Sequence, residues 1–212
     1  MSAARLAVLL SGSGRTLLNL HDEIRARRLD AEIALVIASR ECLGAERARE
    51  RGLETVVVPS ALPADVLEKL LGERRIDWVV LAGYLRMVKI PPAYEGRVVN
   101  IHPALLPSFG GPGMHGEKVH AAVLARGCKV SGCTVHLCDA KYDNGPILVQ
   151  LACEVKEHDT PETLAARVFE LERQAYPEAL RLLIAGRACA TTGSPRAIIR
   201  PDACITDPHS PE

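Results

Sequence analysis

Short apolar runs alternate with amphipathic stretches through the N-terminal half of the chain. Uninterrupted apolar runs of this length are typical of strands buried on both faces of a parallel sheet. Residues 6–10 form such an uninterrupted run, and further strands are predicted at residues 32–37, 54–58, 78–82 and 98–102. Helical periodicity falls between them, at residues 17–24, 42–51 and 63–74. Because successive strand–helix–strand units form right-handed crossovers, the alternation predicts an α/β fold with a parallel sheet.

The C-terminal half of the chain adds a different pattern to this sheet. A turn signal, Asp143-Asn144-Gly145-Pro146, joins apolar stretches at 129–137 and 147–154, so these two strands should pair antiparallel. A helix is predicted at 116–126 and a longer one at 160–185. We therefore predict a doubly wound, mostly parallel, Rossmann-like sheet with an antiparallel C-terminal strand pair and a long C-terminal helix. Residues 1–186 form the predicted domain, and residues 187–212 are predicted to be a peripheral tail.

Composition argues against several classes of protein. The 212-residue chain has a formal net charge of zero and 3% aromatic residues, so neither a nucleic acid nor a membrane is an expected partner. The apolar N-terminal run is too short for a signal peptide or a membrane span, and we expect a cytoplasmic protein. The seven cysteines include no Cys-x-x-Cys pair, so neither a zinc site nor a disulfide framework is expected.

A glycine-rich turn follows the first predicted strand. The segment Ser11-Gly12-Ser13-Gly14-Arg15-Thr16 leads into a helix, so free backbone N–H groups should lie at the positive end of the helix dipole. The third glycine of the dinucleotide fingerprint is missing, because position 17 is Leu, and no Gly-Lys-Ser/Thr signature is present. Two interpretations remain: a bare turn between strand and helix, or a site for one phosphate to which Arg15 and Thr16 add donors.

Asn100 and His102 lie two positions apart at the end of the fifth predicted strand, so both side chains should face the same side. Pro103 ends the strand at the sheet edge where open α/β folds bind ligands. With Asp143, the pair could stabilise a tetrahedral oxyanion and move a proton. One histidine and one carboxylate provide too few ligands for a typical zinc site. No serine or cysteine is placed as a nucleophile.

The structural alternative is that the Asn100 and His102 side chains satisfy loop backbone and that Asp143 caps its own turn. The other histidines of this region are expected to be surface or structural residues: His115, His120 and His136.

The chain resembles the formyltransferases that use 10-formyltetrahydrofolate. The resemblance is carried by residues 79–86, 100–109, 132–136 and 143–147, and it extends from residue 6 to about residue 184. The element Asn100-Ile101-His102-Pro103 with a downstream Asp143-Asn144-Gly145-Pro146 is specific for this superfamily. The layout is most similar to the members that act on phosphoribosylglycinamide in purine synthesis.

The resemblance implies transfer of a formyl group from 10-formyltetrahydrofolate, the co-substrate, to the amine of phosphoribosylglycinamide. Small molecules are the implied partners, and the chain is expected to be a monomer or a homodimer. The implied catalytic residues are Asn100, His102 and Asp143. The implied acceptor-binding residues are Gly14, Arg15, Thr16, Pro103 and Glu172. The implied folate-binding residues are Leu85, Arg86, Met87, Val88, Asn100 and Tyr142.

Several alternatives remain open from the sequence. Hydrolysis of 10-formyltetrahydrofolate could use the same residues, although that enzyme usually carries an N-terminal domain for which there is no room before Leu6. Because the family usually has Ser-Asn where this chain has Arg15-Thr16, the acceptor could be a different phosphorylated or nucleotide amine. Formylation of methionyl-tRNA is disfavoured, because no basic domain follows Gly186. The non-enzymatic alternative is a catalytically silent nucleotide-binding module.

Overall fold

Seven strands form one sheet in the computed structural model, which describes residues 3–59, 61–190 and 197–199. The strands are β1 (Ala4–Leu10), β2 (Ala31–Ala38), β3 (Thr55–Val57), β4 (Trp78–Leu81), β5 (Val98–His102), β6 (Val130–Leu137) and β7 (Ile147–Glu154). The helices are α1 (Arg15–Arg25), α2 (Leu43–Glu50), α3 (Ala64–Glu73), α4 (Glu117–Ala125) and α5 (Pro161–Ile184). A 3₁₀ turn at Pro92–Tyr94 precedes β5.

The strand order is β3-β2-β1-β4-β5-β6-β7. Strands β1 to β5 are parallel, whereas β6 is antiparallel to β5 and β7 is antiparallel to β6. The order reverses between β1 and β4, so a crevice opens at the carboxyl ends of these strands. The predicted doubly wound sheet with an antiparallel C-terminal strand pair is therefore confirmed. The first helix differs from the prediction because it begins at Arg15, which places both Arg15 and Thr16 in its first turn.

Helices cover both faces of the sheet, as buried parallel strands require. One apolar cluster joins one face of the sheet to α1, α2, α4 and α5, and a second joins the other face to α3 and the 3₁₀ turn. Tyr176 of α5 is completely buried, and its hydroxyl lies 2.9 Å from the carbonyl oxygens of both Leu81 and Val99. This phenol therefore joins the long helix to the ends of β4 and β5.

The predicted peripheral tail contains two short strands, β8 (Ala188–Ala190) and β9 (Ala197–Ile199), which pair antiparallel. Ala188 is buried against the first apolar cluster. The remainder of the predicted tail, 191–196 and 200–212, lies outside the described residues. Across the described ranges, no helix combines the length and apolar character needed to cross a membrane.

Candidate active site

A cleft of about 830 Å³ opens at the carboxyl ends of β1, β4 and β5, the edge predicted from the sequence. All three predicted catalytic residues line it, and so do all the residues predicted to bind the acceptor or the folate. These are Gly14, Arg15, Thr16, Leu85, Arg86, Met87, Val88, Asn100, His102, Pro103, Tyr142, Asp143 and Glu172. Segments far apart in sequence therefore meet in one cavity.

Asn100 and His136 are direct neighbours across the antiparallel β5–β6 pair. The Asn100 amide nitrogen Nδ2 lies 3.2 Å from Nε2 of His136. The other ring nitrogen of His136, Nδ1, lies 2.9 Å from the carbonyl oxygen of Leu137. The His136 side chain is buried, so its contacts are made inside the protein.

His102 is buried at the end of β5 and is held by the loop that follows it. Its Nε2 lies 2.8 Å from the carbonyl oxygen of Phe109, which can only accept a hydrogen bond. In the neutral ring the proton is therefore on Nε2, and Nδ1 carries the lone pair. Nδ1 lies 3.6 Å from Oδ2 of Asp143, which is too far for a direct hydrogen bond but close enough for the carboxylate to attract the ring once Nδ1 is protonated.

Asp143 is anchored by its Oδ2, which accepts a hydrogen bond of 2.9 Å from the backbone N–H of Gly111. Its Oδ1 lies 3.6 Å from Nε2 of His136. The backbone has φ 51° at Asp143 and φ 57° at Phe109, a region that side-chain-bearing residues rarely adopt. Such conformations persist only where surrounding contacts enforce them, and here both residues contact the His102 group.

Burial and nearby charges set the protonation of this pair. Burial lowers the pKa of His102, and the opposing attraction of Asp143 does not cancel this effect. Burial would raise the pKa of Asp143, but the hydrogen bond that its carboxylate accepts from the Gly111 N–H opposes this effect, and the pKa lies below its ordinary value. At neutral pH the site thus contains a neutral imidazole beside a carboxylate.

The glycine-rich turn is fixed by a close backbone contact. Gly14 has φ 74°, and a Cβ atom built there would lie 2.7 Å from Cα of Gly44. The N–H of Gly44 donates to the carbonyl oxygen of Gly12 at 2.9 Å. Both positions therefore require glycine, because a side chain at Gly14 would collide with the backbone of Gly44. The N-terminus of α1, which follows Gly14, lines the cleft.

Arg15 is the first residue of α1 and lines the cleft. Its guanidinium lies 4.1 Å from the ring centroid of Phe169, a cation–π contact that holds the charge beside the helix N-terminus. Glu172 lines the same side of the cleft, and burial raises its pKa from 4.5 to about 7 despite the opposing charge of Arg15. An anion and a cationic or neutral amine could bind side by side here.

The opposite side of the cleft is more apolar and begins after β4. Ser11 accepts a hydrogen bond of 3.0 Å from the Leu85 N–H, which fixes the start of this loop. Leu85, Met87 and Tyr142 are 48%, 40% and 42% exposed, unusually open for large hydrophobic side chains that line a cavity. Exposed apolar groups around a cleft are typical of a site for a flat organic ligand.

A comparison with known protein families identifies the family of the chain. The model of the family described as formyl transferase matches residues 4–180. The chain belongs to the formyl transferase family. Phosphoribosylglycinamide formyltransferase, chloroplastic, of Arabidopsis thaliana is 41% identical over 184 residues, which cover 82% of this chain and 63% of that relative.

A further relative matches in sequence, and a solved structure matches in both fold and sequence. The trifunctional purine biosynthetic protein adenosine-3 of Drosophila pseudoobscura pseudoobscura is 42% identical over 86% of this chain, which spans 14% of that longer protein. The crystal structure of glycinamide ribonucleotide transformylase 1 from Symbiobacterium toebii matches with a TM-score of 0.86 and 39% identity. That match covers 94% of this chain and 95% of the other.

The structure adds detail to two histidines that the sequence predicts to be surface or structural residues. His136 contacts Asn100 and lies near Asp143, so it belongs to the site rather than only to the sheet. His120 of α4 is buried and lines the cleft. The available signal for His136 was its position on the strand that leads to Asp143. For His120, the helical pattern gave no such signal.

Proposed function

We propose that this formyl transferase transfers a formyl group from 10-formyltetrahydrofolate to the amine of phosphoribosylglycinamide. The convergence of Asn100, His102 and Asp143 in one cleft is the observation that carries this proposal. The names of the plant relative and of the Symbiobacterium toebii structure support the same acceptor.

The chemistry begins when the acceptor amine attacks the formyl carbon, whose oxygen then becomes an oxyanion. The Asn100 amide donates to that oxygen, and Nδ1 of His102 takes the proton that the attacking amine releases. The resulting imidazolium lies beside the oxyanion and is stabilised by the Asp143 carboxylate at 3.6 Å. Collapse of the tetrahedral intermediate breaks the bond to the folate nitrogen, which leaves with a proton, and yields the formylated amine and tetrahydrofolate.

The acceptor binds on the α1 and α5 side of the cleft. In this proposal the phosphate interacts with the N–H groups at the start of α1 and with Arg15 and Thr16, where the helix dipole favours an anion. Glu172 binds the amine end, since its carboxylate is the acidic group on this side whose pKa burial raises to about 7. Pro103 borders the catalytic strand and shapes the cleft between these groups.

The folate binds on the opposite side. Leu85, Met87 and Val88 provide apolar contacts and free backbone groups for its flat ring, and Tyr142 borders the same region. The Arg86 guanidinium donates to the carbonyl oxygen of Pro59 at 2.7 Å, which orders this segment. The formyl group is thereby brought to Asn100, between the two substrates.

Release of tetrahydrofolate from 10-formyltetrahydrofolate tests the reaction directly. Release that depends on phosphoribosylglycinamide supports the proposed transfer. Release without an amine would instead identify a hydrolase, and release only with another phosphorylated amine would identify a different acceptor. No release under any of these conditions would leave a nucleotide-binding module.

An Asp143→Asn substitution tests the catalytic assignment. The amide keeps the size of the side chain but cannot stabilise the His102 imidazolium, so we expect turnover to fall by about 10³-fold or more. The Asp139→Asn variant is a matched control on the same turn, because Asp139 bonds to Asn144 and the Lys141 N–H rather than to His102. Near-normal turnover of a folded Asp143→Asn protein would refute the assignment.

Location and assembly belong to the same proposal. A cytoplasmic location and a monomeric or homodimeric state remain predictions from the sequence, and the plant relative is chloroplastic by name. Fractionation of the native host and light scattering of the purified protein measure these two properties.

A further inference from the structure

His136 is a buried histidine that the proposed reaction does not use. It lies on β6 directly opposite Asn100, and the β6–β7 register shifts between Val135 and His136. Irregularities of this kind re-aim side chains at the edge of a site. The ring of His136 contacts Asn100 at 3.2 Å and lies 3.6 Å from Asp143, so it touches two of the three proposed catalytic residues.

The hydrogen-bond partners of His136 determine which of its nitrogens carries the proton. The Leu137 carbonyl oxygen can only accept, so Nδ1 must donate across the 2.9 Å contact. Nε2 of the neutral ring then carries a lone pair and can only accept. The group that faces it from Asn100 must therefore be the amide N–H₂ and not the carbonyl oxygen.

This arrangement fixes the orientation of the Asn100 amide. One N–H of the amide donates to His136, and no partner of the second is found in the described part of the chain. Rotation of the amide by half a turn would set its Oδ1 lone pairs against the lone pair of Nε2, which is unfavourable. That rotated form would also present an acceptor to the reacting oxygen, where the reaction needs a donor.

We propose that His136 is a positioning residue, whose neutral ring holds the Asn100 amide so that an N–H points at the formyl oxygen. The proposal rests on the role of Asn100 proposed above. His136 itself exchanges no proton and touches no substrate. Its loss should therefore lower the rate of the chemical step and leave the binding of both substrates intact.

The test compares variants that do and do not retain an acceptor at the position of Nε2. His136→Leu removes the acceptor, whereas the amide oxygen of His136→Gln can replace it. For His136→Leu we expect kcat to fall by about 10- to 100-fold, below the 10²- to 10³-fold typical of a deleted oxyanion donor. For His136→Gln we expect kcat within about fivefold of the wild type, and for both variants KM values within about threefold.

A double-mutant cycle with Asn100→Ala separates positioning from a merely structural effect. If His136 acts through the amide, adding His136→Leu to Asn100→Ala should lower kcat by less than about twofold. Ser131→Ala is the matched control on the same strand, because Ser131 is buried and its hydroxyl has no partner within the described residues. This control should keep the wild-type kcat. Circular dichroism checks that each protein is folded, and His136→Met replaces His136→Leu if the latter does not fold.

Each outcome decides between the two proposals. If Asn100→Ala turns over normally, the role of Asn100 fails and the His136 inference fails with it. If Asn100→Ala is impaired but the apolar His136 variant keeps its kcat, the inference about His136 alone is overturned. Losses that multiply in the double variant, or a change confined to KM, would overturn it as well.

Discussion

Replacing Glu172 by glutamine should stabilise the protein while weakening its proposed function. Glu172 is half-buried on α5, and no hydrogen bond or ion pair to it is found among the described residues. Burial therefore disfavours its charged form, and the charge of Arg15 compensates only in part. An uncharged side chain of the same shape removes this unfavourable burial.

The size of the effect follows from the pKa of Glu172. A rise from 4.5 to about 7 means that the folded protein holds this proton more tightly than the unfolded chain does. Stability linked to this group is greatest below about pH 4.5 and is lost as the pH rises through 7. The full difference corresponds to about 3 kcal/mol at alkaline pH, and partial exposure to solvent reduces our expectation to about 1–2 kcal/mol.

The assay is thermal unfolding of the Glu172→Gln variant and the wild type at about pH 8.5 and about pH 5.5. At the higher pH we expect the variant to unfold about 2–8 °C above the wild type, and the difference should shrink at the lower pH. The KM for phosphoribosylglycinamide should rise about tenfold or more, with the KM for 10-formyltetrahydrofolate unchanged.

Glu170→Gln is the matched control for this experiment. Glu170 lies on the same helix but is exposed, and it pairs with Arg173 at 3.0 Å on the surface. Its substitution should change stability by less than about 0.5 kcal/mol at either pH. A Glu172→Gln protein that is no more stable than the wild type at about pH 8.5 would refute the reasoning about its buried charge.

Two further substitutions test the framework of the cleft by urea unfolding. Gly14→Ala should destabilise the protein by about 2 kcal/mol or more, because φ is 74° and the new Cβ would lie 2.7 Å from Gly44. Gly12→Ala, with no atom within 4 Å of the added Cβ, should have a much smaller effect, and equal losses would contradict the packing argument. Tyr176→Phe should destabilise by about 1–3 kcal/mol, because two buried strand carbonyls lose their shared donor, and an unchanged midpoint would contradict this.

The sheet could be predicted from the sequence because its strands are buried on both faces. An apolar run such as Leu6–Leu10, bounded by turn residues, is typical of a buried strand and of few other structures. The turn at Asp143-Asn144-Gly145-Pro146 predicted that β6 and β7 pair antiparallel. The antiparallel pairing of β6 with β5 was not predicted, because it depends on packing between segments that no local pattern connects. The start of α1 was predicted two residues late, because Gly14 caps the helix through its φ of 74° rather than through a side chain.

The sequence predicted which strand-end side chains meet in the cleft, but it did not predict the contacts that these side chains make with residues of neighbouring elements. Asn100 and His102 have a spacing that already indicates a shared face, and the family resemblance supplied Glu172. His136 has the same spacing to Thr134, yet nothing in that spacing says that its ring lies across the sheet from Asn100. The contact of Phe169 with Arg15 likewise joins two helices. Helical periodicity within each helix does not predict that these two residues meet.

The buried phenol of Tyr176 links α5, which carries Glu172, to β5, which carries Asn100. Glu172 and Tyr176 are four residues apart on α5, so they lie on the same face of the helix. The Tyr176 hydroxyl binds the carbonyl oxygen of Val99, the residue directly before Asn100. The distance between the carboxylate proposed to bind the amine and the amide proposed to bind the oxyanion is therefore set by a hydrogen bond in the core rather than by a surface loop. Since misplacement of reacting groups by about 1 Å can lower a rate 10²-fold, a rigid connection of this kind favours an amine and a formyl group that meet in one orientation.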